Sequence, residues 1–197
     1  SPTISTPETP IADSLLSLRR RKIDSYHALP ISAARSIIHS GLFRKYVDLY
    51  GESFFGSDMT YAGSTFDSFF FPRTTIKKAQ MLASQAFGSK HTFFVTTGST
   101  TSVQIAIDAL ASHGHRVLID RSCHQSFHFA LQRMQCDVTY VGSLSCCRYS
   151  QRQHVDIEAL FRAYREAAAD GRPYRLVVLN ASSYDGVAYD LRRIVDE

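Results

Sequence analysis

Four consecutive residues, Gly98-Ser99-Thr100-Thr101, place a glycine and three hydroxyl groups at the start of a predicted helix. Glycine lets the backbone turn sharply, and the first N–H groups of a helix have no partner within it. Anions bind well there because the helix dipole is positive at that end. The segment therefore predicts an anion cup suited to phosphate. The alternative is that the hydroxyl side chains only cap the helix.

The cup does not match either of two common phosphate motifs. It lacks the lysine of a P-loop and the three glycines of a dinucleotide-binding turn. Its chemistry is therefore generic anion binding, and the phosphate compound has to be identified from other segments.

A second candidate segment, 120–126, places Cys123 and His124 directly after a predicted strand. His124 would meet a ligand at the end of the sheet, although a lone histidine is more often a structural group. A thiol nucleophile paired with a histidine base is disfavoured, because neighbouring residues on a strand point in opposite directions.

A third candidate segment, 180–186, contains Ser183 followed by Tyr-Asp-Gly, which is a turn signal. A simple turn explains this segment on its own. The segment is a candidate for ligand binding because it is predicted to lie at the end of another strand.

The order of the predicted elements decides where these segments lie. Helical patterns alternate with short apolar runs, which is typical of an α/β fold with a mostly parallel sheet flanked by helices. The predicted helices cover 75–87, 101–112, 126–134 and 155–169. The predicted strands cover 91–96, 116–120, 137–141 and 175–180. Because ligands bind at the carboxyl ends of such strands, we expect one rim to contain 97–101, 121–125 and 181–185.

The N-terminal part of the chain is predicted to be less regular. Residues 1–10 are rich in Ser, Thr and Pro, which indicates a flexible tail and no signal peptide. Segment 11–72 is helical and irregular, with predicted helices at 11–26 and 33–50. Residues 73–197 contain the regular α/β pattern and form the first part of a large domain.

Composition and charge argue against several classes of function, namely membrane-spanning, nucleic-acid-binding and metal-binding proteins. The 197 residues carry a formal net charge of +4 and contain no apolar run long enough to span a bilayer. The basic cluster 19–22 has no interleaved aromatic residues, so we expect no nucleic-acid binding. The cysteines and histidines lack metal-site spacing, so we expect no metal. Without a secretory signal, a cytoplasmic protein with reduced thiols is expected.

Several segments, taken in order, resemble the ornithine/lysine/arginine decarboxylase family. The matching segments are Phe66-Asp67 with Pro72, then 76–80, 98–101, 120–126 and 180–190. The similarity runs from about residue 66 to residue 194, which is roughly two thirds of the chain.

The resemblance implies a fold-type-I enzyme that uses pyridoxal 5′-phosphate (PLP) and decarboxylates a basic amino acid. Ser99, Thr100 and Thr101 match positions around the cofactor phosphate. His124 matches the histidine that stacks on the pyridine ring, which makes it the candidate catalytic residue. Ser183 lies in the Ser/Thr stretch expected near the cofactor. The resemblance also implies a homodimer or larger oligomer, for which the aromatic run 69–71 suits a subunit contact or a buried loop.

The sequence departs from the family pattern at several positions. Gln125 stands where the family commonly has lysine, and 27–31 stands where an HxPGH-type segment is expected. The family's Schiff-base lysine and the aspartate that pairs with the pyridine nitrogen are expected beyond Glu197. The resemblance therefore implies an incomplete PLP domain, which further sequence or a second polypeptide would complete.

Three other functions stay open from the sequence. One is a different PLP reaction at the α-carbon, namely that of an aminotransferase, another lyase or an oxidase. The second is a non-catalytic module that retains part of the fold. The third is a nucleotide-binding α/β protein, since phosphate cups recur on unrelated enzymes.

Overall fold

The structure is a computed structural model that forms two compact units. The described residues are 8–21, 31, 34–58, 66–146 and 151–197. The first unit covers Ser1–Phe94 and the second covers Val95–Glu197. The predicted domain boundary at residues 72–73 stays a prediction.

Helices make up the regular structure in the described part of the first unit. They are α1 (Pro10–Arg19), α2 (Phe43–Tyr50), α3 (Glu52–Phe55) and α4 (Thr75–Phe87). A small buried cluster of Leu18, Phe66 and Ile76 includes residues of α1 and α4. Burial of such apolar side chains is the main force that holds short helices in place.

Two predicted helices are shorter in the structure. The first ends at Arg19, and 22–26 lie outside the described residues. The second is wrong over 34–42, which form turns. Ala34 has a positive φ of 73°, which a right-handed helix does not allow, and Gly41 adds a poor helix former just before α2.

A buried carboxylate organises the chain before α4. Asp67 is 5% exposed, and both of its oxygens accept backbone hydrogen bonds. The donors are the N–H groups of Ser68, Arg73, Thr74 and Ile76, at 2.8, 2.9, 3.0 and 2.8 Å. Burial raises the pKa of Asp67, but the four donors outweigh it and lower the pKa to about 2.

The predicted strand at 91–96 is wrong. Residues 91–95 belong to no strand, and 96–97 form a turn. Apolar and β-branched residues favour an extended chain, but a strand also needs a neighbour for its backbone hydrogen bonds. Within the described residues, no strand pairs with this segment.

The second unit combines helices with a parallel sheet. Its described elements, in chain order, are α5 (Ser99–Leu110), β1 (Arg116–Asp120), α6 (Gln125–Arg133), β2 (Asp137–Val141), β3 (Ser143–Cys146), β4 (Gln151–Val155), α7 (Ile157–Ala169), β5 (Leu176–Val178) and α8 (Leu191–Asp196). Apart from 91–96, the strands and helices predicted for this region are present, and each bound lies within two residues of its prediction.

The main sheet has the strand order β2-β1-β5, and all of its pairs are parallel. In this register Ile119 of β1 lies between Tyr140 of β2 and Val178 of β5. The predicted parallel α/β architecture is therefore confirmed. A separate antiparallel pair, β3 and β4, occupies the stretch that the sequence pattern left irregular.

Helices cover both faces of the main sheet. Val117 and Ile119 of β1 join a buried cluster with residues of α5 and α6, such as Ile107 and Leu131. Leu118, between them on the strand, joins a second cluster with residues of β4 and α7. This alternation follows from the two-residue period of a strand and produces a three-layer arrangement with β1 at its centre.

Candidate cofactor site

The loops that follow β1 and β5 meet at the carboxyl edge of the sheet. The two strands are parallel neighbours, with Ile119 opposite Val178, so both loops leave the sheet on the same side. Asn180 Nδ2 donates a hydrogen bond to Ser122 Oγ over 3.3 Å. The second and third candidate segments of the sequence are therefore brought together at this edge, as the strand pattern predicted.

The N-terminus of α5 also points toward this edge. Residues 111–115 form a short connection from α5 to β1, and Ala111 belongs to the same buried cluster as Val117 near the amino end of the strand. The 12-residue helix is about 18 Å long at 1.5 Å per residue, close to the length of the five-residue strand. A helix that packs on a strand and is joined to it by a short connection runs back along that strand, so we infer that Ser99 lies toward the carboxyl end of β1.

The predicted anion cup has an open geometry. Gly98 precedes α5 with φ 97° and ψ 168°, and a Cβ placed on it would meet no atom within 4 Å. No side chain caps this end of α5. Thr101 Oγ1 instead donates to the carbonyl of Thr97 over 3.5 Å, while Ser99 and Thr100 are exposed. The capping alternative is therefore not realised, and the helix end is open to an anion.

His124 caps the next helix with its imidazole. Its Nδ1 atom accepts a hydrogen bond from the backbone N–H of Ser126 over 3.2 Å and lies 2.9 Å from Ser126 Oγ. Accepting the bond from the Ser126 N–H requires the Nδ1 lone pair, so the ring proton is on Nε2. The ring is exposed, and only its Nδ1 side is bonded to α6, so the flat face of the ring is available to a ligand.

Cys123 points away from His124 and into the core. It is 6% exposed, and its Sγ donates a long bond of 3.9 Å to the carbonyl of Val178. Burial and the charge of Asp120 raise the pKa of the Cys123 thiol to about 12. A neutral buried thiol is a poor nucleophile, so the structure agrees with the rejection of a thiol–histidine pair.

Ser183 belongs to a tight turn. It is 4% exposed, and its Oγ accepts a hydrogen bond from the N–H of Val187 over 3.1 Å. Gly186 supplies a φ of 87° that other residues rarely adopt, so the Tyr-Asp-Gly turn forms as predicted. The cofactor contact of Ser183 stays a prediction.

A buried polar network, which sequence reasoning missed, lies beneath the carboxyl edge of the sheet. Asp120 is 0% exposed, and its carboxylate accepts bonds from Ser122 Oγ at 2.8 Å and from Tyr189 Oη at 3.0 Å. Burial raises the pKa of Tyr189, so its hydroxyl stays a donor. The local sequence shows only an aspartate at the end of an apolar strand. Its partner Tyr189 is 69 positions away, so no local pattern connects the two residues.

Two features are absent from the part of the chain that the structure describes. They contain no group of three or more His, Cys, Asp or Glu side chains that could hold a metal ion. Among the same residues, no helix combines the length and apolar character needed to cross a membrane.

Comparison with solved structures supports the same fold. The lysine decarboxylase LdcF of Francisella novicida superimposes with a TM-score of 0.83 over 96% of this chain and 27% of that chain, at 19% identity. The constitutive lysine decarboxylase of E. coli gives a TM-score of 0.80 with the same coverage and identity. At this identity the likeness establishes the fold, which is that of a fold-type-I large domain.

Sequence comparison identifies the family. The constitutive ornithine decarboxylase of Escherichia coli K12 is 26% identical over 179 residues, covering 80% of this chain and 24% of the relative. An arginine decarboxylase of Bacillus subtilis is 31% identical over 126 residues, covering 64% and 25%. The chain thus spans about a quarter of the length of these relatives. Residues 9–197 match the family described as Orn/Lys/Arg decarboxylase, major domain, and the chain belongs to this family.

Proposed function

We propose that the full-length protein is a PLP-dependent decarboxylase of a basic amino acid, with PLP held at the edge formed by α5, β1 and β5. One observation carries the proposal. The N-terminus of α5 has no side-chain cap, the exposed imidazole of His124 is held by α6, and both helices pack on the same face of the sheet. An anion cup suits the phosphate of a phosphorylated aromatic cofactor, and a flat ring surface suits its aromatic ring.

The open end of α5 suits the cofactor phosphate. A phosphate group carries close to two negative charges near neutral pH, which the helix dipole and backbone N–H groups stabilise. Gly98 leaves room for close approach to the backbone. The exposed hydroxyls of Ser99 and Thr100 would donate to phosphate oxygens, whereas Thr101 would contribute its N–H because its hydroxyl bonds to Thr97.

His124 would orient the cofactor ring. When bound, PLP supplies an electron sink for the negative charge that develops at the substrate α-carbon. The bonds from Ser126 restrict rotation of the imidazole, so His124 can hold an aromatic ring in one plane. Fixing that plane favours cleavage of one α-carbon bond over the others, and in a decarboxylase this is the bond to the carboxylate.

A basic amino acid is the proposed substrate because the curated relatives named above act on ornithine and arginine. We extend the proposal to a homodimer or larger oligomer. Phe70 and Phe71 are 86% and 75% exposed among the described residues, so both rings are available for a subunit contact.

The proposal is tested on the purified full-length protein. We expect a visible absorption band of bound PLP that borohydride reduction removes, and release of CO2 with a diamine or agmatine from ornithine, lysine or arginine. Amino-group transfer to a keto acid would replace decarboxylation with transamination. A protein that binds no PLP after incubation with excess cofactor would overturn the proposal and favour a non-catalytic module.

A further inference from the structure

We propose that Asp120, Ser122 and Tyr189 form a positioning network that holds His124 in place, an inference that rests on the cofactor role proposed for His124. None of these three side chains is proposed to contact the cofactor. They lie beneath the edge and connect the loop after β1 with the chain that follows β5.

The Asp120 carboxylate is the centre of the network. It is fully buried, and burying a charge is costly unless hydrogen bonds satisfy it. None of the ion pairs found among the described residues includes Asp120. Its donors are the backbone N–H of Ser122 at 2.8 Å, the Ser122 hydroxyl at 2.8 Å and the Tyr189 hydroxyl at 3.0 Å. The carboxylate therefore stays buried only while both segments remain in place.

The same bonds fix the backbone that leads to His124. Besides the bond from the Ser122 N–H to the carboxylate, the N–H of Cys123 donates to the carbonyl of Asp120 over 3.0 Å. Residues 120–123 are thus closed into a turn, and the next residue is His124, the N-cap of α6. The direction in which His124 leaves this turn depends on the turn geometry.

Ser122 connects the two loops at the edge. Its hydroxyl donates to Asp120, accepts from Asn180 Nδ2 over 3.3 Å, and lies 3.3 Å from the Tyr189 hydroxyl. Tyr189 follows the turn that contains Ser183, and its N–H donates to the carbonyl of Ala181 over 3.0 Å. One buried carboxylate therefore sets the relative position of the segments that carry His124 and Ser183.

Tyr189 offers a conservative way to test this role. Its ring is 7% exposed and packs in the cluster with Leu118 and Val155, so Tyr189→Phe retains the packing and removes only the hydroxyl. Ser122→Ala removes the other side-chain donor, and Ser122→Thr restores a hydroxyl. The control is Tyr164→Phe, because Tyr164 is 49% exposed on α7 and belongs to no part of the network.

The experiment uses the full-length protein saturated with PLP. The readouts are visible circular dichroism per bound cofactor, the PLP dissociation constant and the melting temperature of the apoprotein. We expect Tyr189→Phe and Ser122→Ala to weaken PLP binding on the order of tenfold and to reduce the dichroism, as expected when a hydrogen bond to a charged group is lost. Ser122→Thr should recover most of both signals, and Tyr164→Phe should match the wild type.

The outcomes separate this inference from the proposed function. A lower melting temperature with unchanged dichroism and affinity would make the network purely structural and overturn the inference, as would variants identical to the wild type in every readout. If the wild type binds no PLP, the proposed function fails first and the inference fails with it. Reduced dichroism at full occupancy supports positioning.

Discussion

His124 combines two roles within one side chain. Its Nδ1 atom replaces the oxygen that usually caps a helix, and its exposed ring is the surface proposed to contact the cofactor. Substitutions that remove the ring but keep a cap can separate these roles. Asparagine is among the best N-cap residues, so it serves as the matched replacement.

We expect His124→Ala to lower the free energy of unfolding by about 1 kcal/mol, because α6 loses its cap. His124→Asn should stay within a few tenths of a kcal/mol of the wild type. Both variants should bind PLP roughly 3- to 10-fold more weakly, because both lose an aromatic contact. Urea unfolding and PLP titration of the full-length protein measure the two effects. Wild-type PLP affinity in His124→Asn would contradict the stacking role.

Sequence patterns could identify residues of the site only where the signal is local. The glycine and hydroxyls at 98–101 and the histidine after a strand are each recognisable from a few neighbouring residues. The bond between Asp120 and Tyr189 joins positions 69 apart, and no local pattern predicts which buried tyrosine reaches a given aspartate. The absence of a cap on α5 is likewise a matter of side-chain conformation, which residue types leave open.

At the scale of elements, α4 is predicted to the residue and the segment 91–96 is not a strand. Apolar residues at helical spacing define α4, and Gly88 ends it with a φ of 64°. Both signals lie within the helix sequence itself. A strand depends on a partner elsewhere in the chain, so an apolar run such as 91–96 is not sufficient.

The start of α4 depends on Asp67, whose carboxylate holds four backbone N–H groups. We expect Asp67→Ala to lower the free energy of unfolding by about 2–3 kcal/mol at pH 7, because buried donors lose a charged acceptor. Urea unfolding measures this cost. Asp48→Ala is the control, since Asp48 is an exposed residue of α2, and its effect should stay within about 0.5 kcal/mol.

The stabilisation by Asp67 should also depend on pH in a defined direction. Its pKa in the folded chain is about 2, below the ordinary value of 3.8. The carboxylate therefore stabilises the fold above about pH 4, and this contribution is lost as the pH falls toward 2. Unfolding curves of wild type and Asp67→Ala should converge over that interval. A difference that stays constant down to pH 2 would contradict the role of the ionised carboxylate.

At the scale of the whole molecule, β1 unites the core of the second unit with its candidate site. Its side chains alternate between the layer of α5 and α6 and the layer of α7, and its last residue is Asp120. A change in the packing of β1 therefore acts on both faces of the sheet. Strand β5, at one end of the strand order, contributes less to the core, since Val177 is 37% exposed.

Leu118 is the residue that best tests the central position of β1. It is 0% exposed between β2 and β5, so Leu118→Ala should leave a cavity and lower the free energy of unfolding by about 2–5 kcal/mol. Val177→Ala, one strand away in register, should cost less than about 1 kcal/mol because the side chain is already partly in water. Urea unfolding of the full-length protein gives both values. Equal costs would mean that β1 does not form the centre of the core, and that the site above it is supported from elsewhere.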